Sequence, residues 1–238
     1  MIDLESKVVR FVVLISANLE WRAVKNKLNP ARINQSPYGE WFDQNLMIKD
    51  HLEGIRFFQG GWGKISAAGS TQYVIDQFHP RCLINLGTCG GIFGRIERGT
   101  ILLVTETIVY DIIEQMGDFE EHIQFYTTLL DLSFIQKPYP MNVIPARMVC
   151  GDRDLLKEDI PGLVEKYQAL AGDWESGAIA FVADRNHIPV LILRGVTDLV
   201  GETGGEAYGN LNLFDHNAAL VMNGLVDDLT AWLNCINF

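Results

Sequence analysis

The sequence predicts an α/β protein, a three-layer sandwich in which helices cover a mixed, mostly parallel central sheet. Two observations predict it. Short apolar runs that read as buried strands alternate along the chain with segments of helical periodicity, the pattern of strand–helix–strand units. The apolar segments are also spread evenly over 238 residues, so residues 1–238 read as one domain with a deep core.

Taken in order, Val8 to Ser16 reads as a buried first strand, and Leu19 to Leu28 shifts to helical spacing that ends before Asn29 and Pro30. Gly39 to Lys49 and Leu52 to Gln59 form a strand pair turning near Asp50 and His51. A helix runs from about Ile65 to Phe78 and closes at His79-Pro80. Cys82 to Leu86, Thr100 to Tyr110, Arg147 to Cys150 and Pro189 to Val196 read as further strands, Ser176 to Arg185 as an amphipathic helix and Phe214 to Leu233 as a long closing helix. Between Asp111 and Pro140 no periodicity is clear, and a connection of that length often carries function or a subunit contact.

Composition narrows the partners. A formal net charge of −11 with no compact basic stripe argues against nucleic acid and anionic membranes, leaving a small molecule or a protein. Cys82, Cys89, Cys150 and Cys235 lack metal-ligand spacing and read as reduced, structural thiols. No apolar run approaches the ~20 residues that span a bilayer, and Met1 to Lys7 lacks a signal-peptide pattern, so a cytoplasmic location is expected.

Three carboxylates fall at element ends. Asp198 lies just past the apolar run Val190-Leu191-Ile192-Leu193, at the carboxyl end of a strand, where parallel sheets place their ligand crevice. Apolar surroundings there raise a carboxyl pKa and suit it to general acid work. Glu20 falls in the first turn after the first strand, and Glu175 enters a helix whose Gly177, Ala178 and Ala180 allow close approach to the sheet. Each alone is accounted for as a cap or as a charge complementing the helix dipole, worth about 0.3–1 kcal/mol. Two carboxyls on one sheet edge also suit a leaving-group acid and a water-activating base. Gly-rich turns are expected at Asn85 to Gly91, where backbone amides approach a ligand, and at Gly60 to Lys64.

Six segments in order resemble the nucleoside phosphorylase and nucleosidase superfamily, most closely the methylthioadenosine/S-adenosylhomocysteine nucleosidases. They are Gly63-Lys64-Ile65-Ser66-Ala67-Ala68, Ile84-Asn85-Leu86-Gly87-Thr88-Cys89-Gly90-Gly91, Arg98-Gly99-Thr100, Cys150-Gly151-Asp152, Trp174-Glu175-Ser176-Gly177-Ala178-Ile179-Ala180 and Arg194-Gly195-Val196-Thr197-Asp198. The resemblance implies a phosphorylase/hydrolase-like fold and a purine nucleoside held across the sheet edge without metal or organic cofactor. It makes Asp198 the acid that protonates the base, Glu20 the base that activates water, and Glu175 the holder of the ribose hydroxyls. Thr88 would lie beside the sugar, Trp174 and Phe214 along the 5′ substituent, and Cys89, Gly90 and Leu155 among the remaining substrate contacts. Similar nucleosidases are dimers, and the apolar Ile112, Ile113, Met116, Phe119, Ile123, Phe125 and Tyr126 are the expected partner surface.

The departures matter as much. Where phosphorylases of this superfamily carry an Arg two residues before the Gly-Thr/Ser pair, this chain has Asn85, which lacks the charged fork that binds phosphate. Arg22 is the nearest alternative cation after the first strand. Hydrolysis is therefore expected, with phosphorolysis or a nucleoside-binding module of little turnover as the alternatives. Position 154, where nucleosidases have an aromatic residue stacking on the purine, is Asp154, so that stacking contact is expected to be lost. Asp173 replaces the family's Glu and Trp174 its Met, a bulky indole that either narrows the 5′ pocket or supplies the missing aromatic face, and Gly201 to Gly209 is longer than in the family and placed to act as a lid.

Overall fold

The computed structural model describes residues 9–238, so the expected start of the first strand at Val8 lies outside the described residues. In chain order the elements are β1 (Phe11–Ile15), α1 (Asn18–Leu28), β2 (Asn34–Gln35), β3 (Glu40–Ile48), β4 (His51–Gln59), α2 (Lys64–Phe78), β5 (Cys82–Ile92), β6 (Ile101–Val109), α3 (Phe119–Phe125), β7 (Thr127–Leu129), β8 (Ile144–Cys150), α4 (Ile160–Tyr167), β9 (Ala171–Asp173), α5 (Ser176–Arg185), β10 (Val190–Gly201), β11 (Gly204–Gly205) and α6 (Leu211–Asn234).

Every described strand joins one sheet, in the order β11-β10-β6-β8-β9-β5-β1-β4-β3-β2, with β7 on β6. The sheet is mixed. Parallel pairing runs through β4, β1, β5 and β10 and through β6, β8 and β9, while the remaining neighbours are antiparallel. Because β10 pairs with β5 as well as β6, the strands β5, β9, β8, β6 and β10 close into a ring. The expected sandwich did not include that closure.

Both faces of the sheet are covered, which is why β1 is apolar at every position. Phe11, Val13 and Ile15 pack with Trp21 and Val24 of α1 and with Val221, Met222, Leu225 and Trp232 of α6. Val12 and Leu14 face the other way, with Ala67 and Val74 of α2 and Ile179 and Ala183 of α5. A strand buried on both faces gains no advantage from polar alternation. The helices stop where the sequence indicates: Asn29 and His79 take left-handed C-caps at φ 43° and 48°.

Three expectations need correction. Asn85 to Gly91 is not a turn, because β5 continues through it to Ile92. Asp198 does not lie past its strand, because β10 runs on to Gly201. The stretch from Asp111 to Pro140 is not wholly irregular either, since it holds α3 and β7. Its apolar residues divide: Ile123 is buried and Ile112 and Phe119 pack against a small core cluster, whereas Ile113, Met116 and Phe125 are exposed. Among the described residues no helix is long and apolar enough to cross a membrane.

Candidate active site

One cavity of about 590 Å³ opens beside the closed ring of strands, and Asp198, Glu20, Glu175, Trp174, Thr88, Cys89, Gly90, Leu155 and Phe214 all line it. They arrive from β5, α1, β10, α6 and the connecting segments. Segments more than a hundred residues apart in sequence converge here because β5, β9 and β10 are neighbours in the sheet.

Glu20 is placed by the start of α1. Its Oε2 accepts from the Ala17 amide at 3.2 Å, satisfying one of the free N–H groups at the helix entry. Its Oε1 accepts from the Thr88 amide at 2.6 Å and the Thr88 hydroxyl at 2.8 Å. Burial raises the Glu20 carboxyl pKa, against the Arg194 charge and the three bonds that favour ionisation. Thr88 thus ties β5 to the carboxylate on α1 and fixes its direction within the cavity.

Asp198 is aimed by a β-bulge. Opposite β5, Val196 pairs with Cys89 and Asp198 with Gly90, leaving Thr197 as the extra residue. A bulge re-aims the side chains that follow it and frees backbone groups from the ladder. The freed Thr197 carbonyl accepts from Asn217 Nδ2 of α6 at 2.8 Å, and the Thr197 hydroxyl donates to Asp198 Oδ1 at 2.9 Å. Burial pushes the Asp198 carboxyl above its ordinary range, with Glu206 and Asp154 adding to the rise and the Thr197 hydroxyl and Ala207 amide opposing it.

Glu175 is the N-cap residue of α5. Its Oε1 accepts at 2.9 Å from the amide of Gly63, which is itself the N-cap of α2. Gly63 sits at φ 83°, a conformation that β-carbon-bearing residues rarely adopt. Burial, then the charges of Asp173 and Glu20, push the Glu175 carboxyl up to about 8. Flanking that bond, Trp62 and Trp174 meet with ring centroids 5.6 Å apart.

Beneath the carboxylates lies a buried cation. Arg194, 1% exposed, donates from Nε to Asp173 Oδ2 at 2.7 Å and from a terminal nitrogen to Asn85 Oδ1 at 2.5 Å. Asp173 also accepts from the Ser176 hydroxyl and amide. The guanidinium passes under Gly87, where a β-carbon would lie 3.1 Å from its central carbon and 3.3 Å from Glu20 Oε1. That close approach is the reason a glycine belongs inside β5.

Asn85 does not line the cavity; it is fully buried, donates to the Leu14 carbonyl at 3.0 Å and serves Arg194. Arg22 is likewise no ligand-binding group, being paired at the surface with Asp215 at 2.8 Å. Arg153 lines the cavity but is committed to Asp159 at 3.0 Å. Sequence reasoning missed Trp62 and Tyr208 as cavity residues and Asn217 as the side chain that holds the bulge. The two aromatic residues fall in turn segments without periodicity, and Asn217 shows only as a polar position on a long helix. Among the described residues no group of three or more His, Cys, Asp or Glu could hold a metal ion.

The nucleosidase from Staphylococcus haemolyticus that acts, by its name, on 5′-methylthioadenosine and S-adenosylhomocysteine is 26% identical over 72% of this chain and 78% of its own length. The fold matches the apo 5′-methylthioadenosine nucleosidase of Arabidopsis thaliana with a TM-score of 0.76 at 24% identity, covering 97% of this chain and 98% of that one. It also matches the S. pneumoniae 5′-methylthioadenosine/S-adenosylhomocysteine nucleosidase solved with a transition-state inhibitor, at a TM-score of 0.72, 17% identity, and 95% and 99% coverage. The family model described as the phosphorylase superfamily matches residues 53–231, from β4 into α6. A match over that span, carrying the glycine-rich β5 strand, Glu175 and Asp198, establishes that the chain belongs to the phosphorylase superfamily.

Proposed function

We propose that this chain hydrolyses the N-glycosidic bond of a purine nucleoside, with 5′-modified adenosines such as methylthioadenosine or S-adenosylhomocysteine as substrates. The observation that carries the reading is the convergence of Asp198, Glu20 and Glu175 on one cavity whose lining cation, Arg153, is paired with Asp159. Protonated Asp198 gives its proton to a base nitrogen as the C1′–N bond breaks. Glu20 takes a proton from the water whose oxygen bonds to C1′. Glu175 accepts hydrogen bonds from the ribose hydroxyls, and Thr88, Cys89, Gly90, Leu155, Trp174 and Phe214 complete the substrate wall. The raised pKa of Asp198 supports the acid role, since a carboxyl of ordinary pKa holds no proton near neutrality.

Phosphorolysis is the second reading, and Arg153 is the one observation for it, a cation in the cavity wall. Its ion pair with Asp159 weighs against a free anion site. Incubation with methylthioadenosine, adenosine and inosine, with and without phosphate, is expected to release free base at equal rates in both conditions. Release that depends strictly on phosphate would overturn hydrolysis.

We read residues 1–238 as one catalytic unit, cytoplasmic and assembled as a homodimer. The dimer is supported by Met116 and Ile113, 95% and 65% exposed, beyond the strand that leads to the cavity, and by the prevalence of two-fold symmetry among closed assemblies. Light scattering at micromolar concentration is expected to give twice the chain mass. A monomer with full activity would remove the dimer from the reading.

A further inference from the structure

The cavity wall beside Asp198 is completed by an aromatic ring from the segment between β11 and α6. Tyr208 lines the cavity, and its hydroxyl donates to the Leu155 carbonyl at 2.7 Å. Its ring lies across Gly205, where a β-carbon would come within 2.5 Å of it. The side chain is thus fixed at both ends, by Leu155 at the phenol and by Gly205 along the ring. Leu155, its anchor, is buried and packs toward Gly90 and Gly172 in the cavity floor. Asp198, Ala207 and Tyr208 all line the same cavity.

We propose that Tyr208 is the stacking residue for the heterocyclic base, its ring forming the flat wall against which the base lies while Asp198 protonates it. The proposal rests on the nucleosidase reading. A base that receives a proton from Asp198 must come within hydrogen-bond distance of that carboxyl, and the Tyr208 ring lines the same cavity. The residue is 42% exposed although its hydroxyl is tied down, so it keeps surface that the chain itself leaves uncovered. Position 154 carries Asp154, whose exposed side chain has no flat face to offer. Stacking from a different segment replaces the contact that the sequence departure removes. As the base takes up the proton its positive charge grows, and attraction to the π face grows with it.

The test compares Tyr208→Leu with Tyr208→Phe by calorimetric titration with free adenine and by kinetics on methylthioadenosine. Tyr208→Leu, which keeps bulk and loses the π face, is expected to weaken adenine binding and raise KM by roughly tenfold to a hundredfold. Tyr208→Phe is expected to recover most of that loss, because the ring remains. Melting temperatures of both variants serve as the folding control. Adenine binding that is absent from the wild type, or equal in the wild type and Tyr208→Leu, overturns the proposal whether or not nucleosides turn over. Adenine binding that falls as expected in a protein that releases no base from any nucleoside overturns the nucleosidase reading and leaves the stacking role standing.

Discussion

Asp198→Asn is expected to lower kcat by about 10²- to 10⁴-fold while nucleoside affinity stays within a fewfold of wild type. An amide has no labile proton to give to the departing base, yet its oxygen can still accept from the Thr197 hydroxyl, so the bulge and the cavity survive. The loss belongs to the transition state alone, since proton transfer is incomplete in the bound substrate. Wild-type activity should accordingly fall as pH rises through the elevated pKa of Asp198. Steady-state kinetics and a binding titration read the two halves of this result. An Asp198→Asn protein within tenfold of wild-type kcat would show that the proton comes from elsewhere.

Arg194→Met is expected to cost about 3–5 kcal/mol of stability, because it leaves Asp173, Glu20 and Glu175 in a buried site without their shared cation. For a chain of this length that lowers Tm on the order of 10 °C. The pH dependence has a definite sign. Glu175 titrates near 4.5 as a free carboxyl and at about 8 in the fold, so its protonated form stabilises the native state. That contribution is complete below the lower value and is lost as pH rises through the higher one. Removing Arg194 takes away an attraction that eases ionisation of Glu20 and Glu175, so the deficit should be smallest at about pH 5 and widen above about pH 8. Thermal melts across that range decide it. A variant melting within 2 °C of wild type (roughly 1 kcal/mol or less) at every pH would mean that the guanidinium is dispensable to this cluster.

Much of the molecule was legible in the sequence because its signals are local. β1 is a run of five apolar residues, α1 and α2 end at Asn29 and His79 just before prolines, and the β3–β4 hairpin turns at Lys49 and Asp50, both at positive φ. Glu20 and Glu175 could be singled out because each sits at the entry to a helix, and Asp198 because it closes an apolar run, although its strand continues past it. What was not legible depends on partners distant in the chain. β9 is Ala-Gly-Asp, a strand only because β5 and β8 lie on either side of it. Thr197 carries no mark of a bulge, which exists only in the register against β5. Nothing local to Arg194 reveals the pairing that lets it be buried, since buried arginines are rare unless paired. Its partners, Asp173 and Asn85, come from two other strands.

The closed ring of strands also sets when the catalytic centre can come into being during folding. β5 and β10 pair residues separated by more than a hundred positions, and β9 and β8 must be seated between β5 and β6 for the ring to close. Pairings of such long sequence separation pay their loop entropy before they are rewarded, and they form late and slowly. Until β10 docks on β5, no bulge aims Asp198 and no guanidinium lies under Gly87 to offset the acids around it. A refolding chain is therefore expected to regain its helices before it regains the site. Recovery of catalysis after dilution from denaturant would lag behind recovery of helical circular dichroism, with the interval measuring closure of the ring.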